Sequence, residues 1–244
     1  MLAATDLTLA GRLSGITASL RPGEVTAICG PNGAGKSSLL ACLAGLLAPQ
    51  AGSVTLDGVP LAAIAAQARA QAIGFLPQTP EIAWDVTVEV LAALGRLPWP
   101  GDGHAAIAAA LGAMDLADLR QRPVSRLSGG ERARALMARV IAGEPRWLLA
   151  DEPLANLDLG HAASLIASLR GQARAGRGVV LVLHDLAQAM NHADRVLVLD
   201  RGSLVADGAP GEALSAAAIA TIWGVTPRWL GEPGALALAL IPSC

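Results

Sequence analysis

The sequence predicts an α/β fold with a mostly parallel sheet, N-terminal antiparallel β-strands and a small helical insert. Three observations lead to this prediction. Short apolar runs without polar alternation, such as Val25 to Cys29 and Val179–Leu183, are typical of strands buried on both faces. Helix-like segments separate these runs, as they do in a parallel sheet. Residues 80–125, rich in Ala and Leu and broken by Pro and Gly near residue 100, interrupt the alternation.

The predicted elements follow from apolar periodicity and from turn signals. Residues 1–29 are expected to form short strands, with a turn at residues 21–24. The remaining predicted elements, in chain order, are a helix Ser38–Leu47, a hairpin over Gly52–Leu56 with its turn at Asp57-Gly58, a helix Leu61–Ala72, a strand Ile73–Leu76, helical stretches Val86–Leu94, His104–Leu111 and Ala117–Gln121, a helix Gly130–Ala142, a strand Trp147–Ala150, a helix Gly160–Gly171, a strand Val179–Leu183, a helix Leu186–His192, a strand Val196–Leu199, a short strand after residue 203, a helix near Pro210–Trp223 and an apolar stretch Ala235–Ile241.

Length and composition favour one domain over residues 1–244, with residues 1–79 and 126–244 as the core and 80–125 as the helical insert. The apolar fraction of 53% is ample for a core. No apolar run approaches the ~18 residues that a membrane-spanning helix needs. A net charge of −2 gives no electrostatic footprint for nucleic acid, so we expect no nucleic-acid partner.

The only lysine of the chain lies in a glycine-rich loop. The segment matches the pattern G-x-x-x-x-G-K-[ST], and the remaining 17 of the 18 basic residues are arginines. A compact ammonium can sit inside a ring of backbone N–H groups and contact two phosphates, which a broad guanidinium cannot do. The loop follows a predicted strand and opens a helix, which is the context that a phosphate-binding loop requires. The motif consists of Gly30, Pro31, Asn32, Gly33, Ala34, Gly35, Lys36 and Ser37.

Polar side chains follow several other predicted strands. Asp151 and Glu152 come directly after Trp147–Ala150, His184 follows Val179–Leu183, and Gln78 follows Ile73–Leu76. Ligands of open α/β sheets bind at the carboxyl ends of the strands, so these side chains are expected near the phosphate loop. Taken alone, the acidic pair is equally consistent with an ordinary acidic turn, a single histidine is more often structural than functional, and a single glutamine indicates little.

The segment Leu127-Ser128-Gly129-Gly130-Glu131 precedes a predicted helix. Ser128 fits a helix N-cap, and the two glycines leave backbone N–H groups unobstructed at the positive helix end. Alone, this pattern is that of an ordinary capped helix start. In a chain that already has a phosphate loop, it predicts a second phosphate-binding site.

Together, these five elements resemble the ATPases of ATP-binding-cassette (ABC) systems, over essentially the whole chain. The resemblance implies a phosphate-loop ATPase core, ATP and Mg²⁺ as ligands, and a dimer that holds two ATPs between two copies. It implies nucleotide binding by residues 30–37 and by Ser38, where the family usually has Thr. It also implies three further sets of roles: Mg²⁺ held by Ser37, Gln78 and Asp151, catalysis by Glu152, His184 and Gln78, and contact of Ser128, Gly129, Gly130 and Asp158 with the nucleotide of the other copy.

Finer features are similar to the ATPases that energise import of iron–siderophores, haem or cobalamin. These features are Leu76-Pro77-Gln78, Gly95-Arg96-Leu97-Pro98, Arg122-Pro123-Val124 and Asp207-Gly208-Ala209-Pro210. This resemblance implies transmembrane permease subunits, a secreted or periplasmic substrate-binding protein, and a peripheral location on the cytoplasmic face of the membrane. We expect residues 80–125, with Trp84 and Trp99, to receive the permease. The alternatives are a cassette ATPase that is not coupled to transport and the ATPase of an importer for another substrate.

The chain departs from the ABC pattern in two further places. Ala133 stands where the family usually has Gln, and no aromatic residue precedes Lys36. The ring that normally stacks on adenine is therefore missing. Arg12 is the nearest planar group in the shortened segment Leu9–Leu13, so it is our candidate for covering the base.

Overall fold

The computed structural model of the protein describes residues 1–79, 85–155 and 157–241. Its strands are β1 (Leu2–Leu9), β2 (Leu13–Leu20), β3 (Val25–Cys29), β4 (Ala51–Leu56), β5 (Val59–Pro60), β6 (Ile73–Leu76), β7 (Trp147–Asp151), β8 (Gly178–Val182), β9 (Arg195–Asp200), β10 (Ser203–Gly208), β11 (Thr226–Leu230) and β12 (Ala237–Ile241). Its α-helices are α1 (Lys36–Leu43), α2 (Ala66–Ala72), α3 (Val88–Ala93), α4 (His104–Ala113), α5 (Gly129–Ala142), α6 (Leu159–Arg174), α7 (Leu186–His192), α8 (Pro210–Ala213) and α9 (Ala216–Trp223).

A six-stranded sheet forms the centre of the molecule, in the order β10-β9-β3-β8-β7-β6. All neighbours from β9 to β6 pair in parallel, and only β10 pairs antiparallel. The order places β3, which leads into the lysine loop, between β8 and β9. The predicted mostly parallel sheet is confirmed.

The strands of this sheet are buried on both faces. In β8, Val179 and Leu181 face one hydrophobic cluster with α5 and α6, whereas Val180 and Val182 face a second cluster with α1 and the N-terminal strands. Side chains of successive strand residues point to opposite faces, so a strand between two apolar layers must be apolar throughout. This arrangement explains why the apolar runs lack polar alternation.

The N-terminal strands form a separate antiparallel sheet in the order β2-β1-β4-β5. Helices α3 and α4 both pack on α5, on the other side of the central sheet. Thr87 caps α3 by accepting a hydrogen bond from the backbone N–H of Val90. The helical stretches that the sequence predicts between residues 86 and 113 are therefore present, shorter for α3 and longer for α4.

Four predicted elements need correction. The helix predicted over Leu61–Ala72 is a 3₁₀ turn at Leu61–Ala63 followed by α2, which begins at Ala66. The first helix runs from Lys36 to Leu43 rather than to Leu47, because Gly45 adopts a left-handed conformation beyond its end. The helix near Pro210–Trp223 is two helices, since Ser215 caps a new one. Residues 117–119 form only a 3₁₀ turn.

The apolar stretch at the C-terminus is strand β12, which pairs with β11. No helix within the described ranges is long and apolar enough to cross a membrane.

Candidate nucleotide site

The carboxyl ends of four parallel strands meet at one cavity. The loop after β3 supplies the lysine motif, and the segments after β6, β7 and β8 supply Gln78, Glu152 and His184. These side chains, together with Arg12, line a cavity of about 500 Å³. The structure thus brings together the residues that the sequence placed separately at strand ends.

Two positions of the loop must be glycine, because the backbone of neighbouring segments comes too close for a side chain. Gly30 has a φ of +149°, and a Cβ there would lie 2.1 Å from the carbonyl oxygen of Leu199. Gly35 has a φ of +99°, and a Cβ there would lie 2.5 Å from the carbonyl oxygen of Arg12. Neither position accepts a side chain. The loop therefore keeps its backbone N–H groups bare at the N-terminus of α1, as an anion-binding loop requires.

Lys36 is the first residue of α1 and is almost fully buried. Its Nζ donates hydrogen bonds of 2.9 Å to the carbonyl oxygens of Gly30 and Pro31. Burial lowers the pKa of the ammonium, whereas the nearby carboxylate of Glu152 raises it. The ammonium is thus held over the loop, beside the backbone groups that would hold a phosphate.

Asp151 ends β7 and is buried, and its Oδ1 has no hydrogen-bond partner among the described residues. Burial raises the pKa of its carboxyl group, and the neighbouring Ser37 hydroxyl opposes that shift. A buried carboxylate oxygen without a partner is costly, which suits a position that binds a cation. In the described parts of the chain, no cluster of three or more His, Cys, Asp or Glu could hold a metal. Mg²⁺ commonly takes one or two protein oxygens with phosphates and water, so Asp151 and Ser37 fit this ion.

Glu152 is the hub of a three-residue hydrogen-bond group. Its Oε2 accepts a bond of 2.8 Å from Nε2 of Gln78, and its Oε1 lies 2.5 Å from Nε2 of His184. The side chain of Glu152 is 11% exposed. Its φ of +51° is strained for a residue with a Cβ, at a cost of order 1–3 kcal/mol. The turn directs the carboxylate into the cavity.

Other sequence-predicted residues lie away from this cavity. Ser128 caps α5, and with Glu131 it forms a reciprocal capping box. Asp158 caps α6 by accepting from the backbone N–H of His161 at 2.8 Å. Gly129 and Gly130 begin α5. None of these residues lines the phosphate-loop cavity of its own chain.

The departures from the ABC pattern also have a place in the structure. Ala133 lines a second cavity of about 340 Å³, between α5 and the segments that carry Gln78 and Glu152. Ser38 lines the phosphate-loop cavity with Ser37. Trp84 lies outside the described residues, so the expectation for this residue has no structural outcome.

Arg12 lies in the turn between β1 and β2, at the phosphate-loop cavity. Its N–H donates to the carbonyl oxygen of Leu9 at 2.9 Å, closing the short turn between β1 and β2. Its own carbonyl closely approaches the backbone of Gly35 and Gly202, which fixes the turn against the phosphate loop. The Arg12 residue is exposed and lines the cavity.

His161 makes a contact that the sequence pattern does not predict. Nδ1 of its ring lies 2.6 Å from Oδ2 of Asp158. The available signal was its position three residues after a helix-capping aspartate. A histidine at that position is not distinctive in a single sequence.

A lysine-bearing loop at a sheet edge, with a buried carboxylate and a Glu–Gln–His group beside it, defines a phosphate-loop nucleotide hydrolase. The comparison with known families is consistent with that class. Residues 13–155 match the family described as "ABC transporter", and the chain belongs to that family. It is an ATPase that uses ATP with Mg²⁺.

Similar proteins support the same assignment. The chain is 44% identical over 225 residues to a hemin import ATP-binding protein HmuV of Nocardia farcinica, covering 90% of this chain and 78% of that protein. It is 40% identical to HmuV of Streptomyces coelicolor, covering 96% and 86%.

Solved structures share the fold. An inward-facing metal-chelate type ABC transporter has a TM-score of 0.83 at 24% identity, covering 100% of this chain and 97% of that chain. The cbiO1 protein of Clostridium perfringens, part of the cbiONQ transporter complex, has a TM-score of 0.79 at 27% identity, covering 90% and 92%.

The position of Arg12 generates a prediction about nucleotide selectivity. Arg12→Ala should raise the Michaelis constants for ATP and GTP by similar factors, because a guanidinium stacks on either base. Base stacking is worth about 1–3 kcal/mol, so the expected rise is about five- to a hundredfold. The rate at saturation should stay nearly unchanged. Steady-state hydrolysis with both nucleotides measures this effect.

Arg21→Ala is the matched control, since Arg21 is an exposed turn arginine that does not line the cavity. It should leave both constants as in the wild type. Strong wild-type preference for ATP over GTP, or an Arg12→Ala variant with unchanged constants, would show that other residues hold the base.

Proposed function

We propose that the protein is the ATPase subunit that energises haem import through a membrane permease, acting as a pair of copies with two ATPs between them. The observation that carries the cargo assignment is the 40–44% identity, over nearly the whole chain, to proteins named for hemin import. The cavity beside Lys36 supplies the chemistry.

The phosphate loop holds the nucleotide. Residues 30–38 wrap the β- and γ-phosphates with backbone N–H groups, and the Lys36 ammonium exchanges its loop carbonyls for phosphate oxygens. Ser37, Asp151 and Gln78 would hold Mg²⁺ by their oxygens. When bound, Mg²⁺ neutralises phosphate charge and orients the transferred group.

Glu152 is the general base. Its carboxylate accepts a proton from the water that attacks the γ-phosphate. Gln78 and His184 fix both carboxylate oxygens, so that the base has one orientation. If the half-exposed ring of His184 turns toward the γ-phosphate of a bound nucleotide, it gives up its contact with Oε1 and leaves that oxygen open to the proton of the attacking water, while Gln78 still holds Oε2.

A second copy completes the site. Ser128, Gly129, Gly130 and Asp158 cap or begin helices away from their own phosphate loop, which fits contact with the partner's nucleotide. Leu159, directly after Asp158, is 88% exposed. An apolar side chain so exposed at the predicted interface gains from burial against another copy.

The permease docks in a groove beside the edge strand β6. The groove has a volume of about 410 Å³ and lies between β6 and the segment that follows α3. Leu97 lines it and is 79% exposed. Trp99 serves a structural role instead, since its Nε1 donates to Gly143 at 2.8 Å and its ring lies under the Arg96 guanidinium. A secreted or periplasmic substrate-binding protein would deliver the cargo to the permease.

The cargo is tested by transport. The chain, reconstituted in vesicles with its permease, should drive ATP-dependent uptake of haem, and not of ferric siderophores or cobalamin. Uptake of either other cargo without haem would contradict haem import. ATP hydrolysis without any uptake would favour a cassette ATPase that is not coupled to transport.

The docking groove is tested in the same vesicles. Leu97→Glu should weaken assembly with the permease about fivefold or more, because a central apolar contact is replaced by a charge. Val90→Glu is the matched control, since Val90 is also an exposed apolar residue but does not line the groove. Equal assembly and transport in both variants would remove this groove from docking.

The role of Glu152 is tested by Glu152→Gln. The amide keeps the shape but cannot accept the proton, and loss of a general base typically costs about 10²–10⁴-fold in turnover. Nucleotide binding should persist, and the variant should accumulate as a dimer with Mg-ATP. Hydrolysis assays and light scattering measure both effects. Turnover near the wild-type rate would exclude Glu152 as the base.

A further inference from the structure

His161 connects the two segments that the proposed dimer presents to the partner's nucleotide. It lies in the first turn of α6, three residues after Asp158. Its backbone N–H donates to Oδ1 of Asp158 at 2.8 Å, and its ring Nδ1 lies 2.6 Å from Oδ2. Both oxygens of the Asp158 carboxylate are therefore engaged by one residue.

The same imidazole ring occupies the space beside Gly130. A Cβ added at Gly130 would lie 2.7 Å from Cγ and Nδ1 of the ring, which is too close for two nonbonded atoms. Gly129 differs, because a Cβ there would meet nothing within 4 Å. Within one chain, the second glycine is thus required by His161, whereas the first faces open space.

The contact between His161 and Gly130 sets the distance between the starts of α5 and α6. It plays no part in capping α5. Ser128 and Glu131 already satisfy the N-terminus of α5 through their capping box. Helices α5 and α6 both pack on the same face of the central sheet, α5 against β6 and α6 against β3 and β8. The ring of His161 therefore lies between the first turns of these two helices.

We propose that His161 is a positioning residue that holds the Ser128–Gly130 segment and Asp158 at a fixed separation, so that both meet the nucleotide of the second copy together. This inference rests on the proposed ATP-bound dimer. Such a contact affects the association of the two copies. If the two segments are not held in place beforehand, they must be ordered when the copies bind, and this lowers the affinity. It leaves the phosphate loop of the same chain untouched, since His161 does not line that cavity.

The test uses the full chain carrying Glu152→Gln, in which Mg-ATP is expected to hold the dimer. His161→Ala should raise the ATP concentration for half-maximal dimerisation about tenfold, in line with couplings between residues in contact. Binding of a fluorescent ATP analogue, measured at protein concentrations where monomer dominates, should change less than about twofold. Light scattering and fluorescence titration give the two readouts.

Two variants keep the test specific. In His161→Asn the amide nitrogen can stand in for ring Nδ1 toward Asp158, so dimerisation should recover most of the loss. His104→Ala removes a comparable surface pair with Asp102, at 3.3 Å, far along the chain in α4. It should dimerise as the parent does.

The outcomes separate the two proposals. If the parent dimerises and His161→Ala dimerises equally well, the positioning role is wrong while the dimer stands. If His161→Ala loses monomer nucleotide binding to the same extent as dimerisation, the defect is general and the positioning role is again wrong. If the Glu152→Gln parent does not dimerise with Mg-ATP, both the dimer and the role of His161 are overturned.

Discussion

The hydrogen bonds that Gln78 and His184 make with Glu152 join the ends of three strands at a single carboxylate. That geometry depends on the sheet being parallel, because only parallel neighbours end at the same edge. The crossovers that connect parallel strands cover both faces of the sheet, which is why these strands are apolar on both faces. The parallel connection of the strands therefore determines where the chemical groups meet.

Most polar groups of the site are satisfied within the chain before nucleotide binds. Lys36 donates to two loop carbonyls, and the carboxylate of Glu152 is held by two side chains. Phosphate oxygens can replace the carbonyls as acceptors from Lys36 and form stronger, charge-assisted bonds, so little is lost in the exchange. Asp151 is the exception, since its buried Oδ1 has no partner among the described residues and gains one only from a cation or its waters.

Much of the fold and of the site could be predicted from the sequence, because apolar runs and glycine-rich loops have local causes. The lysine loop, β6 with Gln78, and the end of β7 were all predicted near their observed positions. Helix ends were less predictable, because several neighbouring residues could end or begin each helix. The structure uses a left-handed turn at Gly45 and a cap at Ser215. The contact of His161 with Gly130 joins segments that are far apart in the chain. It depends on packing, and no local pattern in a single sequence predicts it.

Labelling of the single lysine tests the account most directly, because Lys36 is the one side-chain amine of the chain. An amine-selective reagent followed by peptide mass spectrometry compares Lys36 with the N-terminus of the same molecule, which serves as internal control. Mg-ATP should protect Lys36 strongly and leave labelling of the N-terminus unchanged. Equal labelling of Lys36 with and without Mg-ATP would contradict a nucleotide held at this loop, and with it the assignment of every residue around the cavity.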